Sequence, residues 1–180
     1  MKNYSISLFV AIFSTISFAQ VQPTKYIKLI SKESLKTNLY VISSDEMEGR
    51  NTGTKGQKKA GEYLISQYIK AGISFPEGAT DFYQRIPAAS LNSRRSKNLP
   101  DSENIWAFIK GSEKPDEVLV ISAHYDHIGV ENGEIYHGAD DDGSGTVAVL
   151  EIAKAFQKAK EEGHGPKRSI LFLSFTNLGK

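Results

Sequence analysis

Three histidines and four aspartates lie within AHYDHIGVENGEIYHGADDDGSG, Ala123 to Gly145. Imidazole and carboxylate are donors that suit zinc. A His-x-Asp pair, here His124 and Asp126, adds a refinement: the aspartate can hydrogen-bond the far ring nitrogen and fix the tautomer that donates to metal. The same stretch matches a second chemistry by letter. Asp140, Asp142, Ser144, Gly145, Val147 and Glu151 fall on positions one, three, five, six, eight and twelve of an EF-hand calcium loop. An EF-hand needs an entering helix, whereas GVENGEIYHGA reads as a glycine-containing loop reached from a strand. Helical periodicity also begins near Thr146, which carries Glu151 into a later helical turn instead of folding it back onto the loop. A histidine alone at a strand end is more often structural; the combination with DDDGSG favours a metal.

The elements that must position these residues can be read on either side of them. Glu117 to Ala123, EVLVISA, is a continuous β-branched run of the kind that fills a strand buried on both faces. From Thr146 the period changes, and Val149, Ile152, Ala153 and Phe156 mark a helix to about Lys160. Arg168 to Phe175, RSILFLSF, reads as another buried strand. Strand, helix, strand is a βαβ unit, so the sheet is at least partly parallel. Ligands of such sheets bind beyond the carboxyl ends of the strands, which is where His124 and the acidic turn stand.

Upstream, Leu35, Leu39 and Ile42 predict a short helix over Lys32 to Ile42. Thr54 and Gln57 resemble a capping box, and a second helix runs from Lys55 to Ala71, where Gly72 ends it. Asp81 to Pro87 and Asn104 to Lys110 read as antiparallel strands joined by the basic loop LNSRRSKNLPDS. The fold class is therefore α/β, with a mixed, partly parallel sheet flanked by helices.

Across 180 residues, 39% are apolar and 24% charged, the composition of one globular domain. Twenty-two basic and 21 acidic residues leave a net charge of +1, which gives no sign of a nucleic-acid groove or a polybasic membrane anchor. The start, MKNYSISLFVAIFSTISFAQ, has a basic residue, an apolar run of about a dozen residues and small residues at Ser17 and Ala19. That pattern reads as a secretory signal over residues 1–19, with no membrane anchor after its removal and a secreted or periplasmic domain from residue 20. The chain has no cysteine, so no disulfide framework supports it.

The segments SSDEMEGRNTGTKGQKKAGEYL, NIWAFIKGS, VISAHYDHIG, IYHGADDDGSGTVAVLEIAKAF and RSILFLSFT together resemble the co-catalytic zinc aminopeptidases, metallopeptidase family twenty-eight. Glutamate carboxypeptidases are included in that family and glutaminyl cyclases are related to it. The resemblance implies a zinc-exopeptidase-like three-layer sandwich that takes a peptide substrate and holds two zinc ions. It implies that His124 is a terminal ligand of one zinc, that Asp141 bridges both, and that Asp126 orients His124. Asp140 and Asp142 would shape the turn, the Asp141–Asp142 peptide would be strained or cis, and Ser144 would cap the helix. His127 and His137 do not match ligand positions.

The sequence departs from that pattern after RSILFLSFT. Where the family carries a general-base glutamate and a ligand glutamate, this sequence has Leu178 and Gly179, and the later aspartate and histidine ligands have no counterpart. Two protein ligands fall short of the three that a catalytic zinc normally takes. The expectation is an apparently truncated, N-terminal part of an aminopeptidase catalytic domain over 20–180, without peptide hydrolysis of its own. The rival readings are a short binding or structural protein without catalysis, a glutaminyl-peptide cyclase, and a calcium-loop protein. The sequence does not speak to oligomeric state.

Overall fold

The computed structural model describes residues 23–91 and 98–176. The signal-like start, residues 92–97 of the basic loop, and Asn177 to Lys180 lie outside the described residues.

Helix α1 (Pro23–Ile27) is followed by α2 (Lys32–Ile42), whose N-cap Ser31 accepts from the Ser34 amide at 3.0 Å. The next segment, Asp45–Arg50, is a 3-10 stretch, and α3 (Lys55–Lys70) comes after it. Ala60, Leu64 and Tyr68 recur on one face of α3 and are fully buried, which supplies about 1.5–3 kcal/mol for each large side chain. Gly72 takes φ +73°, and the amides of Gly72 and Ile73 reach back to Ile69 O and Tyr68 O, a Schellman end that satisfies the last carbonyls of α3. The start of α3 differs from the expected capping box. The Thr54 hydroxyl donates back to Asn51 O instead of accepting from a first-turn amide, and Gln57 Oε1 accepts from the amide of Gly53, one residue before the N-cap, so only the glutamine half of the box is present and it is displaced by one residue.

Among the described residues the main sheet has the order β1 (Tyr83–Ile86), β2 (Ser102–Ile109), β6 (Arg168–Phe175), β3 (Lys114–His124). A short helix, α4 (Ala88–Leu91), follows β1. The β1–β2 and β2–β6 pairs are antiparallel, and β3–β6 is parallel, with Leu119 opposite Ile170. The parallel pair is joined by α5 (Ser144–Glu161), so the βαβ unit and the mixed, partly parallel sheet are as the hydrophobic pattern predicts. Ile105, Ala107, Ile109, Ile170 and Phe172 point into one core with α3 and α5.

The expectation that β3 is buried on both faces is corrected. Val118, Leu119 and Val120 are each about half exposed, at 51%, 53% and 50%, because β3 pairs with β6 alone among the described strands and forms the sheet edge. The interior positions belong to β2 and β6 instead. The alternate residues Leu171, Leu173 and Phe175 of β6 are partly buried and lie outside the core cluster, so this strand is partly exposed on one face. A second correction concerns GVENGEIYHGA. It is not merely a loop: β4 (Gly129–Glu131) and β5 (Glu134–Tyr136) pair antiparallel about Asn132 and Gly133, at φ +53° and +82°. Asn-Gly is the dipeptide that such a tight hairpin turn favours.

Candidate functional site

Strand β3 ends at His124, and the hairpin β4–β5 leads the chain back to a π turn, Ala139–Gly143, from which α5 starts. This return brings His124 Nε2 to 3.0 Å from Asp141 Oδ1. The histidine is held from several sides. Its backbone carbonyl accepts from Thr146 Oγ1 on α5 at 2.8 Å, and its ring lies beside that of Phe175 on β6. The far ring nitrogen, Nδ1, is 3.0 Å from the backbone oxygen of Asp126 and 3.6 Å from its carboxylate Oδ1. The nearer partner of Nδ1 is thus the main chain of Asp126.

The Asp126 carboxylate is buried in a polar chain of its own. Its Oδ2 accepts from Thr52 Oγ1 at 2.5 Å and Thr176 Oγ1 at 2.9 Å. Thr176 Oγ1 in turn accepts from Gln57 Nε2 at 2.9 Å, and Gln57 Oε1 accepts from Ser102 Oγ at 2.7 Å. Every one of these residues is buried, which makes the hydrogen bonds obligatory. The chain links α3, β2 and the end of β6 to the turn behind His124.

Asp141 and Asp142 are joined by a cis peptide bond. Asp142 Oδ1 accepts from the Gly145 amide at 3.1 Å, and a Cβ added at Gly145 would stand 2.2 Å from that oxygen. Ser144 lies within α5, with its hydroxyl directed at Asp140 O, so Asp142 and not Ser144 meets the first-turn amide. His127 Nδ1 is 3.8 Å from Asp141 Oδ2, nearer to the site than its place in the sequence suggests. His137 stands away from it, with Nε2 3.6 Å from Asp45 Oδ1. Glu151 is 4% exposed and engaged by Ser34, Asn38 and Lys154, so it cannot close a calcium loop on Asp140.

Arg50 is a residue that periodicity passes over. It is fully buried, at φ +53°, and its guanidinium donates to four main-chain carbonyls around the site. Burial lowers its pKa to about 10, against the raising influence of Asp126, Asp141 and Asp142, so it remains charged at neutral pH. Thr52 and Thr176 are missed in the same way, because a small hydroxyl carries no periodic signal. For Arg50 and Thr52 the sequence cue is a basic residue and a small polar one set in the acidic turn DEMEGRNTGT.

An imidazole nitrogen and a carboxylate oxygen that converge at 3.0 Å fit zinc in donor type. They do not fit it in number: among the described residues no group of three or more His, Cys, Asp or Glu converges on one point. No helix of the described residues is long and apolar enough to cross a membrane.

Known proteins resemble this chain in sequence and in fold. The mouse Aminopeptidase NAALADL1 is 28% identical over 115 residues, which is 63% of this chain and 13% of that protein. The solved structure of the Porphyromonas gingivalis glutaminyl cyclase superposes with a TM-score of 0.64 at 21% identity, covering 84% of this chain and 50% of its own. A Bacteroides vulgatus protein described as a Zn-dependent exopeptidase has a TM-score of 0.51 at 25% identity, covering 80% and 46%. This chain therefore spans about half of the matched structures and a small part of the mouse relative. The fold is that of zinc-exopeptidase-like and glutaminyl cyclase structures. Residues 104–177, which carry most of β2 together with β3, the acidic turn and β6, match the model of Peptidase family M28, a metallopeptidase family.

Proposed function

We propose that this chain belongs to a secreted zinc-dependent exopeptidase, an aminopeptidase that removes N-terminal residues from peptides, and that it carries one part of the metal site. His124 and Asp141 bind zinc, with Asp141 placed to bridge two ions, and Asp126 orients His124 through the contact of its main-chain oxygen with Nδ1. The observation that carries this reading is the 3.0 Å convergence of His124 Nε2 and Asp141 Oδ1 beyond the end of β3. The metallopeptidase match over the same residues supports it, as does the aminopeptidase name of the mouse relative. When bound, zinc would polarise a substrate carbonyl and lower the pKa of a water. The residues of this chain hold the ligands: Thr52 and Thr176 fix Asp126, and Thr146 fixes the backbone of His124. With two donors and no general base among the described residues, the 180-residue chain binds zinc weakly and does not turn peptides over.

The test is calorimetric titration of the purified chain with Zn2+, beside assays with an aminoacyl-nitroanilide and with a peptide that begins with glutamine. Weak zinc binding, lost in His124→Ala and in Asp141→Ala, is expected, without turnover in either assay. Chelator-sensitive release of nitroaniline would overturn the inactivity, and ammonia release from the glutamine peptide would make the protein a glutaminyl cyclase. Unchanged zinc binding in both variants would remove the ligand assignment.

A further inference from the structure

We propose that Arg50 is the positioning residue of this site: its guanidinium sets the path of the 137–143 turn and so places Asp141 against His124. The proposal rests on the reading of His124 and Asp141 as zinc ligands. Nε of Arg50 donates to Tyr125 O at 2.7 Å, Nη1 donates to Ile42 O and to His137 O at 2.7 Å each, and Nη2 donates to Gly138 O at 2.8 Å. These acceptors come from three separate segments: the end of α2, the residue after His124, and the two residues before the acidic turn. The backbone of Arg50 adds a further tie, because its carbonyl accepts from the His127 amide at 3.1 Å.

The geometry of the acceptors makes this more than a buried charge that has found partners. Gly138 O also accepts from the Gly143 amide at 3.1 Å, so one oxygen joins the guanidinium to both ends of the π turn. Tyr125 O is one peptide away from His124. The arginine therefore bonds directly to the chain on either side of the gap that His124 and Asp141 close. A planar guanidinium presents five N–H groups in fixed directions, which suits carbonyls that approach from several segments. A lysine ammonium has three donors at one point and does not span them. Metal ligands tolerate displacements of about 0.2 Å, so a turn that drifts by a fraction of an ångström alters the site without unfolding the domain.

The experiment compares the full chain with Arg50→Lys and with Tyr63→Phe, which removes a 2.6 Å bond to Asn38 in the helix layer away from the site. Amide hydrogen exchange is measured without metal and normalised to the amides of β6. In Arg50→Lys the amides of Ala139 to Gly143 exchange at least tenfold faster, and in Tyr63→Phe they change less than twofold. Equal protection of the turn in Arg50→Lys and the unaltered chain overturns the proposal. If Arg50→Lys does not fold, Arg50→Gln takes its place, and the unaltered chain supplies an independent measurement: the Arg50 Nε–H resonance shifts on addition of Zn2+, and does not shift in His124→Ala. Zinc that saturates the chain and leaves this resonance unmoved also overturns it. A chain that binds no zinc defeats the ligand reading, while the metal-free exchange still decides the role of Arg50. In zinc titrations Arg50→Lys weakens binding at least tenfold and Tyr63→Phe less than twofold.

Discussion

Thr176 Oγ1 donates to Asp126 Oδ2 at 2.9 Å, which ties the residue after β6 to the turn after β3. With Thr52 it supplies two hydrogen bonds to a carboxylate that is 3% exposed. Thr52→Val and Thr176→Val keep the shape of the side chain and remove one donor each. Each is expected to destabilise the fold by about 1–3 kcal/mol, because the buried acceptor loses a partner that water cannot replace. Urea unfolding of the two variants and of Thr52→Ser, which should lie near the unaltered chain, measures this. Equal midpoints for all would mean that the carboxylate does not need the threonines.

Gly49 and Gly133 both take positive φ, +62° and +82°, but in different surroundings. A Cβ at Gly49 would stand 2.4 Å from Gly129 O and 2.5 Å from Tyr136 O, whereas nothing lies within 4 Å of one at Gly133. Gly133→Ala should cost about 1 kcal/mol, the strain of a left-handed residue alone. Gly49→Ala adds a collision with two carbonyls of the β4–β5 hairpin and should cost several times as much, on the order of 3 kcal/mol. Thermal unfolding of the pair distinguishes the two causes, and similar losses would refute the close approach of the hairpin to the 3-10 segment.

The docking of α1 onto α5 should fail in acid. Glu162 accepts from Lys25 Nζ at 2.5 Å and from Tyr26 OH at 2.8 Å, and these bonds, that from Lys25 first, hold its carboxyl down at about 2. A carboxyl depressed by folding contributes stability above its unfolded value and loses it as the pH falls through the folded one. The contact is therefore expected to be complete above the ordinary glutamate range and to weaken from there toward pH 2. The Tyr26 ring protons report it by NMR. In Glu162→Gln this acid transition should be absent; a transition of the same size in that variant would place its origin elsewhere. The pair is exposed, so salt should shrink the effect.

The edge of β3 is guarded along half its length. Lys114, Pro115, Asp116 and Glu117 and a break in register before Val118 discourage a second strand, while Val118 to Val120 offer an apolar edge that no other described strand pairs. Val118→Lys and Val120→Lys should lower the rate of self-association while changing stability by no more than about 0.5 kcal/mol. Light scattering during storage beside urea unfolding checks both halves of the statement. Unaltered association in the double variant would acquit this edge.

Where burial and period coincide, the fold was legible. Ala60, Leu64 and Tyr68 mark α3 and Val149, Ala153 and Phe156 mark α5, because one face of each meets the same sheet. The status of β3 was not legible, since a β-branched run states what a strand could bury and not whether a neighbour is there to bury it. His124 and Asp141 could be paired in advance by resemblance, and the structure brings them within 3.0 Å. The support behind them could not. Thr52, Gln57 and Thr176 act through single oxygens and amides, and Arg50 acts on carbonyls, which have no letter in the sequence.

That last property bears on how the site can change over generations. The partners of the Arg50 guanidinium at Ile42, Tyr125, His137 and Gly138 are peptide oxygens, which every amino acid carries. As far as this anchor is concerned, the side chain of His137, which is 46% exposed, is free to vary. Substitutions around the rim of the site can therefore accumulate without loosening the turn that carries Asp141, which separates the inheritance of its geometry from the inheritance of its specificity.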